Sequence, residues 1–261
     1  MKKVPQLSLL ALLFAAPSVM ATPIPLNCQS GCTGAVYSGA IFSTVSVQPS
    51  GTGVFNPFVR IHQKPTEDGH NTGAPSQDFL NDEIGGIWTH DVLFSDLDNI
   101  FNIGGTNYYE FMLDLGEPSG NDMNLLTLDR IELCTSNTAS LVQADGCPTS
   151  PVYTMNGSVH LDYDLFGGGN GNSDLFFYVP TSVFGANPGT YFYMYTSFGH
   201  ETGYESQGTF EEWAFRDGPT PPCVGCSPNP QSFPTPEPGS MILLGSGLLG
   251  MIGAARRKFS L

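Results

Sequence analysis

Asp162 and Asp164, with His160 before them, alternate along a short segment that runs into Gly167-Gly168-Gly169-Asn170-Gly171-Asn172-Ser173-Asp174. Alternating carboxylates beside a Gly/Asn loop suit calcium, which takes about six to eight oxygen ligands from flexible groups. Asp162, Asp164, Asn170, Asn172 and Asp174 form the candidate set, and His160 offers a transition-metal nitrogen instead. The spacing is not that of an EF-hand. It also misses the calcium-binding nonapeptide, because Ser173 stands where Asp is needed and the unit is not repeated. A solvated strand face entering a hairpin turn has the same pattern. Tyr191, Tyr193 and Tyr195 share one face of a strand whose other face carries Phe192 and Met194. Such rings could stack on sugars, or lie beneath a covering loop if the strand is central. Catalytic signatures are missing: there is no H-E-x-x-H, G-x-S-x-G or P-loop, and the five histidines show no metal spacing. Glu211 and Glu212 point to opposite strand faces and cannot work together on one bond. Acids on separate strands leave a polysaccharide hydrolase open.

Six cysteines, Cys28, Cys32, Cys134, Cys147, Cys223 and Cys226, suggest disulfides in an oxidising compartment. Local pairing would join Cys28 to Cys32, Cys134 to Cys147 and Cys223 to Cys226, among many other possibilities. A Cys134–Cys147 bridge would pin a hairpin. Cys223-Val-Gly-Cys226 has redox spacing, but Pro-rich sequence surrounds it and no helix follows.

The elements that must carry these residues are strands. Gly and Pro are abundant, and no long segment shows a helical period. Tyr109, Phe111, Leu113 and Leu115 alternate with Glu110, Met112 and Asp114; Val159, Leu161, Tyr163 and Leu165 alternate with His160, Asp162 and Asp164. Further strands are expected over 36–47, 54–62, 125–134, 174–179, 190–198 and 210–216. In the 125–134 segment, Leu126 and Leu128 share one parity, and Ile131 and Leu133 the other, so a bulge is expected near Asp129-Arg130. Residues 64–81 read as a long polar loop. The pattern predicts an all-β fold: a single antiparallel β-sandwich, jelly-roll-like.

Both ends read as handles. Lys2 and Lys3, the apolar run 7–16 and Val19-Met20-Ala21 make a secretory signal peptide over residues 1–21. The sandwich domain then covers 22–218 and a Pro-rich linker 219–235. Residues 236–261 hold Pro236-Glu237-Pro238, an uncharged apolar stretch from Met241 to Ala255, and the basic cluster Arg256, Arg257 and Lys258. The apolar stretch predicts a short transmembrane helix of roughly 22 Å, less than the ~30 Å hydrocarbon core. The basic cluster would stay on the cytoplasmic side.

The order of motif, apolar stretch and basic cluster resembles the PEP-CTERM sorting signal of Gram-negative bacteria. That resemblance implies recognition and cleavage near Pro236-Glu237-Pro238 by the membrane protease-transpeptidase exosortase, after export through the Sec translocon and a transient inner-membrane stage. Stretches between residues 109 and 215, roughly a third of the chain, resemble a recurring group of PEP-CTERM proteins that has no established activity.

Without its handles the body keeps Arg60, Lys64, Arg130 and Arg216 against 23 acids, a net charge of −19. Such a body repels phosphate backbones, which argues against nucleic acid, and it attracts divalent cations or calcium-bridged acidic polysaccharide. The expected function is that of a non-enzymatic structural or adhesive protein of the outer envelope or extracellular matrix. The alternatives are a calcium-dependent carbohydrate-binding module, with Ca2+ as its cofactor and exopolysaccharide as its partner, and a secreted hydrolase.

Overall fold

Alternating strands dictate two packed layers, and the computed structural model, which describes residues 24–44, 56–75, 88–120, 123–166 and 173–215, shows them. The first sheet contains β1 (Leu26–Asn27), β5 (Glu67–His70), β6 (Val92–Leu93), β9 (Leu125–Ser136), β10 (Tyr153–Thr154), β11 (Val159–Asp162) and β13 (Tyr191–Phe198). Its order is β1-β11-β9-β13-β5, with β10 on β9 and β6 on β13. The second sheet contains β2 (Ala35–Tyr37), β3 (Ala40–Ser43), β4 (Pro57–Ile61), β7 (Ile100–Ile103), β8 (Thr106–Asp114), β12 (Leu175–Pro180) and β14 (Glu211–Phe215). Its order is β2-β3-β12-β8-β14-β4, with β7 on β8. From β8 onward the chain crosses repeatedly between the sheets, in the manner of a jelly roll. The expectation of a purely antiparallel sandwich needs one correction: β1 runs parallel to β11. No α-helix occurs among the described residues, only short 3-10 turns, and no described helix is long and apolar enough to cross a membrane. The expected signal peptide, linker and short C-terminal transmembrane helix all lie outside the described residues.

Period-two alternation determines what fills the space between the sheets. Phe111 and Leu113 of β8, Phe177 and Val179 of β12, Phe192 and Met194 of β13, and Trp213 of β14 belong to one buried cluster. Phe111 stacks on Phe192 across the layers, ring centroids 5.2 Å apart. Leu126 and Leu128 join the same cluster as Ile131 and Leu133, although the two pairs have opposite parity. The bulge that this requires is present: Ser197 pairs with Arg130 and Phe198 with Leu128, leaving Asp129 as the extra residue.

Three expectations are corrected. The segment expected as one strand over 36–47 is the β2–β3 hairpin, turned at Ser38 and Gly39 with φ of 51° and 80°, the left-handed pair of a type I′ turn. The alternation continued to Leu165 ends earlier. The amide of Asp164 donates to Asp162 Oδ1 at 3.0 Å, and residues Tyr163–Phe166 form a 3-10 turn. The polar loop over 64–81 contains β5, hidden from hydropathy because its sequence is Glu-Asp-Gly-His. Just past β5, Asn71 acts as a strand partner to β13, its Nδ2 donating to Phe192 O at 2.8 Å and its Oδ1 accepting from Met194 N at 2.7 Å.

Asp174 has a related role at the start of β12. Its amide donates to Leu113 O at 2.7 Å and its Oδ2 accepts from Leu115 N at 2.7 Å, so the carboxyl extends the β8–β12 ladder by one rung. Burial pushes this carboxyl up to about 8, with the Leu115 amide opposing the rise and nearby Asp114 adding to it. A carboxyl raised in the folded state keeps a proton that the unfolded chain releases. Its contribution is therefore complete below the ordinary aspartate range and is lost as pH rises toward 8. Asp174→Asn keeps the acceptor and removes the titration. Relative to the wild type, the variant should gain up to about 1.4 kcal/mol per pH unit between pH 4 and 8. Urea unfolding of both proteins across that range measures the difference, and a constant offset would contradict it.

Candidate functional site

Three glutamates meet at one end of the sandwich. Glu211 opens β14 on the same parity as Trp213 and therefore faces inward. Glu117 follows β8 on the parity of Leu113 and Leu115. Glu67 opens β5, opposite Phe198 of β13, with Asp68 turned to the other face. The three are at most 1% exposed, and one carboxylate oxygen from each lies within 4.8 Å of the others. Gly116 allows the approach: a Cβ there would stand 2.5 Å from Phe210 O, so the backbones around Glu117 and Glu211 are in direct contact.

The loop 199–209 closes over the cluster. Ser206 donates from its amide to Pro65 O at 2.8 Å and from its hydroxyl to Gln63 O at 2.8 Å. Gly199, at φ +81°, is required where this loop begins, because a Cβ would meet Pro65 O at 2.5 Å and Ser206 N at 2.7 Å. Two amides hold the carboxylates from behind: Gln63 N donates to Glu67 Oε2 at 2.8 Å, and Gln207 N to both Glu117 oxygens at 3.2 Å.

Burial raises the proton affinity of all three groups. It pushes Glu117 up to about 7, with nearby Glu67 adding to the rise and the Gln207 amide opposing it. Burial also raises Glu67. Glu211 rises well above the carboxylate range, through burial and then repulsion from Glu67. The Gly116 amide counters that rise without reaching hydrogen-bond geometry at either Glu211 oxygen. Among the described residues, no salt bridge involves these three acids.

This cluster has no contiguous signature along the chain, because its members come from distant segments. One signal was available: Glu211 shares the inward parity of Trp213 and Phe215.

The structure separates the residues expected to bind calcium. Asp162 and Asp164 are joined by the turn described above. Asp162 Oδ1 also accepts from Asn124 Nδ2 at 2.6 Å, and Asp164 Oδ2 from Gly120 N at 3.0 Å. Asp174 belongs to the other sheet, engaged with Leu115, and Asn170 and Asn172 lie outside the described residues. His160 Nε2 donates to Glu201 Oε2 at 2.9 Å, and the ring stacks on Tyr204. Ser158 hydrogen-bonds the other Glu201 oxygen. In this trio the carboxylate stands between serine and histidine, so the imidazole is not placed to take the serine proton.

The tyrosines do share one face of β13, but that face is covered. Tyr193 is 0% and Tyr195 3% exposed. Tyr193 OH donates to Thr138 O at 2.9 Å, and Tyr195 OH to Asp68 at 3.1 Å. The cover is the chain between β9 and β10, tied by the Cys134–Cys147 disulfide. Arg130 reinforces it, lying over the Tyr195 ring and pairing with Glu132 and Asp145, both at 2.6 Å. Glu132 in turn accepts from Cys147 N at 2.9 Å. Cys28 and Cys32 form the second disulfide; Cys223 and Cys226 lie outside the described residues. Arg60 is held between Trp88 and Phe210, 4.5 and 4.1 Å from their ring centres.

Comparison with protein families matches residues 234–258 to the PEP-CTERM protein-sorting motif. The chain thus carries this motif at its C-terminus, including Pro236, Glu237, Pro238, Arg256, Arg257 and Lys258, which implies processing by exosortase and export. Comparisons with curated proteins and with solved structures give no match.

Both disulfides suit an extracytoplasmic protein, and the one over the tyrosines has a measurable role. Replacing Cys134 and Cys147 with Ser should lower stability by about 2–3 kcal/mol, the range for a loop of this length. It should also open Tyr195 to nitration by tetranitromethane, read by peptide mass spectrometry. Continued protection of Tyr195 would show that Arg130 alone holds the cover.

Proposed function

We propose that this protein is a non-enzymatic structural or adhesive component of the outer envelope or exopolysaccharide matrix, delivered there after exosortase cleavage. The sorting motif at residues 234–258 carries this reading. Its apolar stretch is short for a permanent anchor, and the Pro-rich linker ahead of it would present the cleavage site. Delivery would use the Sec translocon and a transient stay at the inner membrane, as the N-terminal handle suggests.

The delivered body fits a matrix role through its charge. Arg60 and Arg130 already face partners within the fold, so the acidic excess is left for the surroundings. A surface of this kind attracts divalent cations and, through them, acidic polysaccharide. A carbohydrate-binding module reading through the β13 rings would have to expose Tyr193 and Tyr195, which are buried.

Cell fractionation tests the route. Wild-type protein should reach the outer envelope or medium without its tail, as the C-terminal peptide mass will show. A variant with Pro236, Glu237 and Pro238 all replaced by Ala should stay in the inner membrane at full length. Wild type retained there uncut would overturn the proposal.

A further inference from the structure

We propose that Glu67, Glu117 and Glu211 bind one calcium ion, which clasps the two sheets together at the end of the sandwich. The site lies apart from the Asp162–Asp174 region and does not depend on the sorting route.

The donor set suggests a hard cation. Every available ligand is oxygen, with no sulfur or imidazole in the group, which suits calcium, magnesium or manganese rather than zinc. Calcium–oxygen distances of about 2.3–2.6 Å place ligands on opposite sides of the ion about 5 Å apart. The mutual separation within 4.8 Å fits one such sphere.

A second observation is independent of the clustering. Glu211 is fully buried, yet neither of its oxygens has a hydrogen-bond partner, and one of them lies in the cluster. Glu67 Oε1 and Thr209 Oγ1 are buried too and lack a partner in hydrogen-bond geometry, although Glu67 lies against Glu211 and Thr209 against Glu117, close enough to influence their protonation. A buried oxygen lacking a donor is costly. A proton on Glu211 would join one of its oxygens to Glu67 and leave its second oxygen without a donor, whereas a single cation serves the facing carboxylates at once.

The backbone has already provided the outer layer of such a site. The Gln63 amide occupies Glu67 Oε2 and leaves Oε1 facing the cluster, and the Gln207 amide fixes Glu117. Donors behind a ligand carboxylate orient it and favour its charged form. Calcium is preferred over magnesium because this enclosed site leaves little room for the waters that magnesium retains.

The test uses the purified full chain, stripped with EGTA and then given calcium chloride or magnesium chloride alone. Native mass spectrometry should find one calcium per chain, and the melting temperature should rise by several degrees with calcium and less with magnesium. Glu117→Gln and Glu211→Gln should each weaken calcium binding by about tenfold or more, while Asp162→Asn and Asp164→Asn should not. If Glu211→Gln fails to fold, Glu117→Gln carries the comparison. The proposal is overturned if the wild type takes up no calcium, or if uptake survives both glutamine variants and is lost in Asp162→Asn. It is also overturned if Glu211→Gln raises the melting temperature equally with and without calcium, the behaviour of a proton-sharing cluster.

Discussion

In a body with four basic side chains and 23 acidic ones, most carboxylates that enter the interior cannot find a cation from the chain itself. Taking a carboxylate out of water is costly unless something replaces its hydration. Asp174 receives a backbone amide at the end of a ladder, and Glu110 receives the Tyr178 hydroxyl at 2.7 Å. Asp162 and Asp164 remain near the surface, within a turn. The chain's arginines are placed where one cation can serve several groups: Arg130 reaches two carboxylates and an aromatic ring, and Arg60 reaches one carboxylate and two rings. Glu211 is the exception: it is buried with Glu67 and Glu117 at the point where both sheets contribute, and neither of its oxygens receives a donor.

The covering of the outer faces follows from the same economy of exposure. A sandwich of two sheets has four faces, of which only two meet in the core. On β13 the outward Tyr193 and Tyr195 are enclosed by the chain between β9 and β10, and Tyr191 at the strand's start is half-buried. On the second sheet, Phe101 of β7 joins Met112, Phe176 and Tyr178 in a separate buried cluster. Both outer faces thus bury aromatic side chains outside the main core.

Much of this was readable along the chain. The bulge at Asp129 follows from a switch of parity, because the pleat turns alternate residues to opposite faces and only an extra residue can restore the pattern. Local pairing of Cys28 with Cys32 and of Cys134 with Cys147 was one possibility among many along the chain, and it is the one the structure holds. β5 was not readable, since Glu67, Asp68 and His70 look like solvent-facing residues. Asp68 meets the Tyr195 hydroxyl. His70 is enclosed with its Nδ1 donating to Asn71 O at 3.0 Å and its Nε2 accepting from Gln143 N at 3.2 Å. Polar composition hides a strand whose hydrogen-bonding partners lie far away in sequence.

What the sequence determined by itself was local and periodic: strand alternation, the bulge, the excess of acid, and a sorting motif whose meaning lies in the order of adjacent residues. The tertiary structure decided which of two alternating faces met the core, which was covered, and which carboxylates came together. Those outcomes depend on strand order and on crossings between sheets. The joining of Glu67, Glu117 and Glu211, and the separation of Asp162 from Asp174, arise when distant segments are packed into one layer or divided between two.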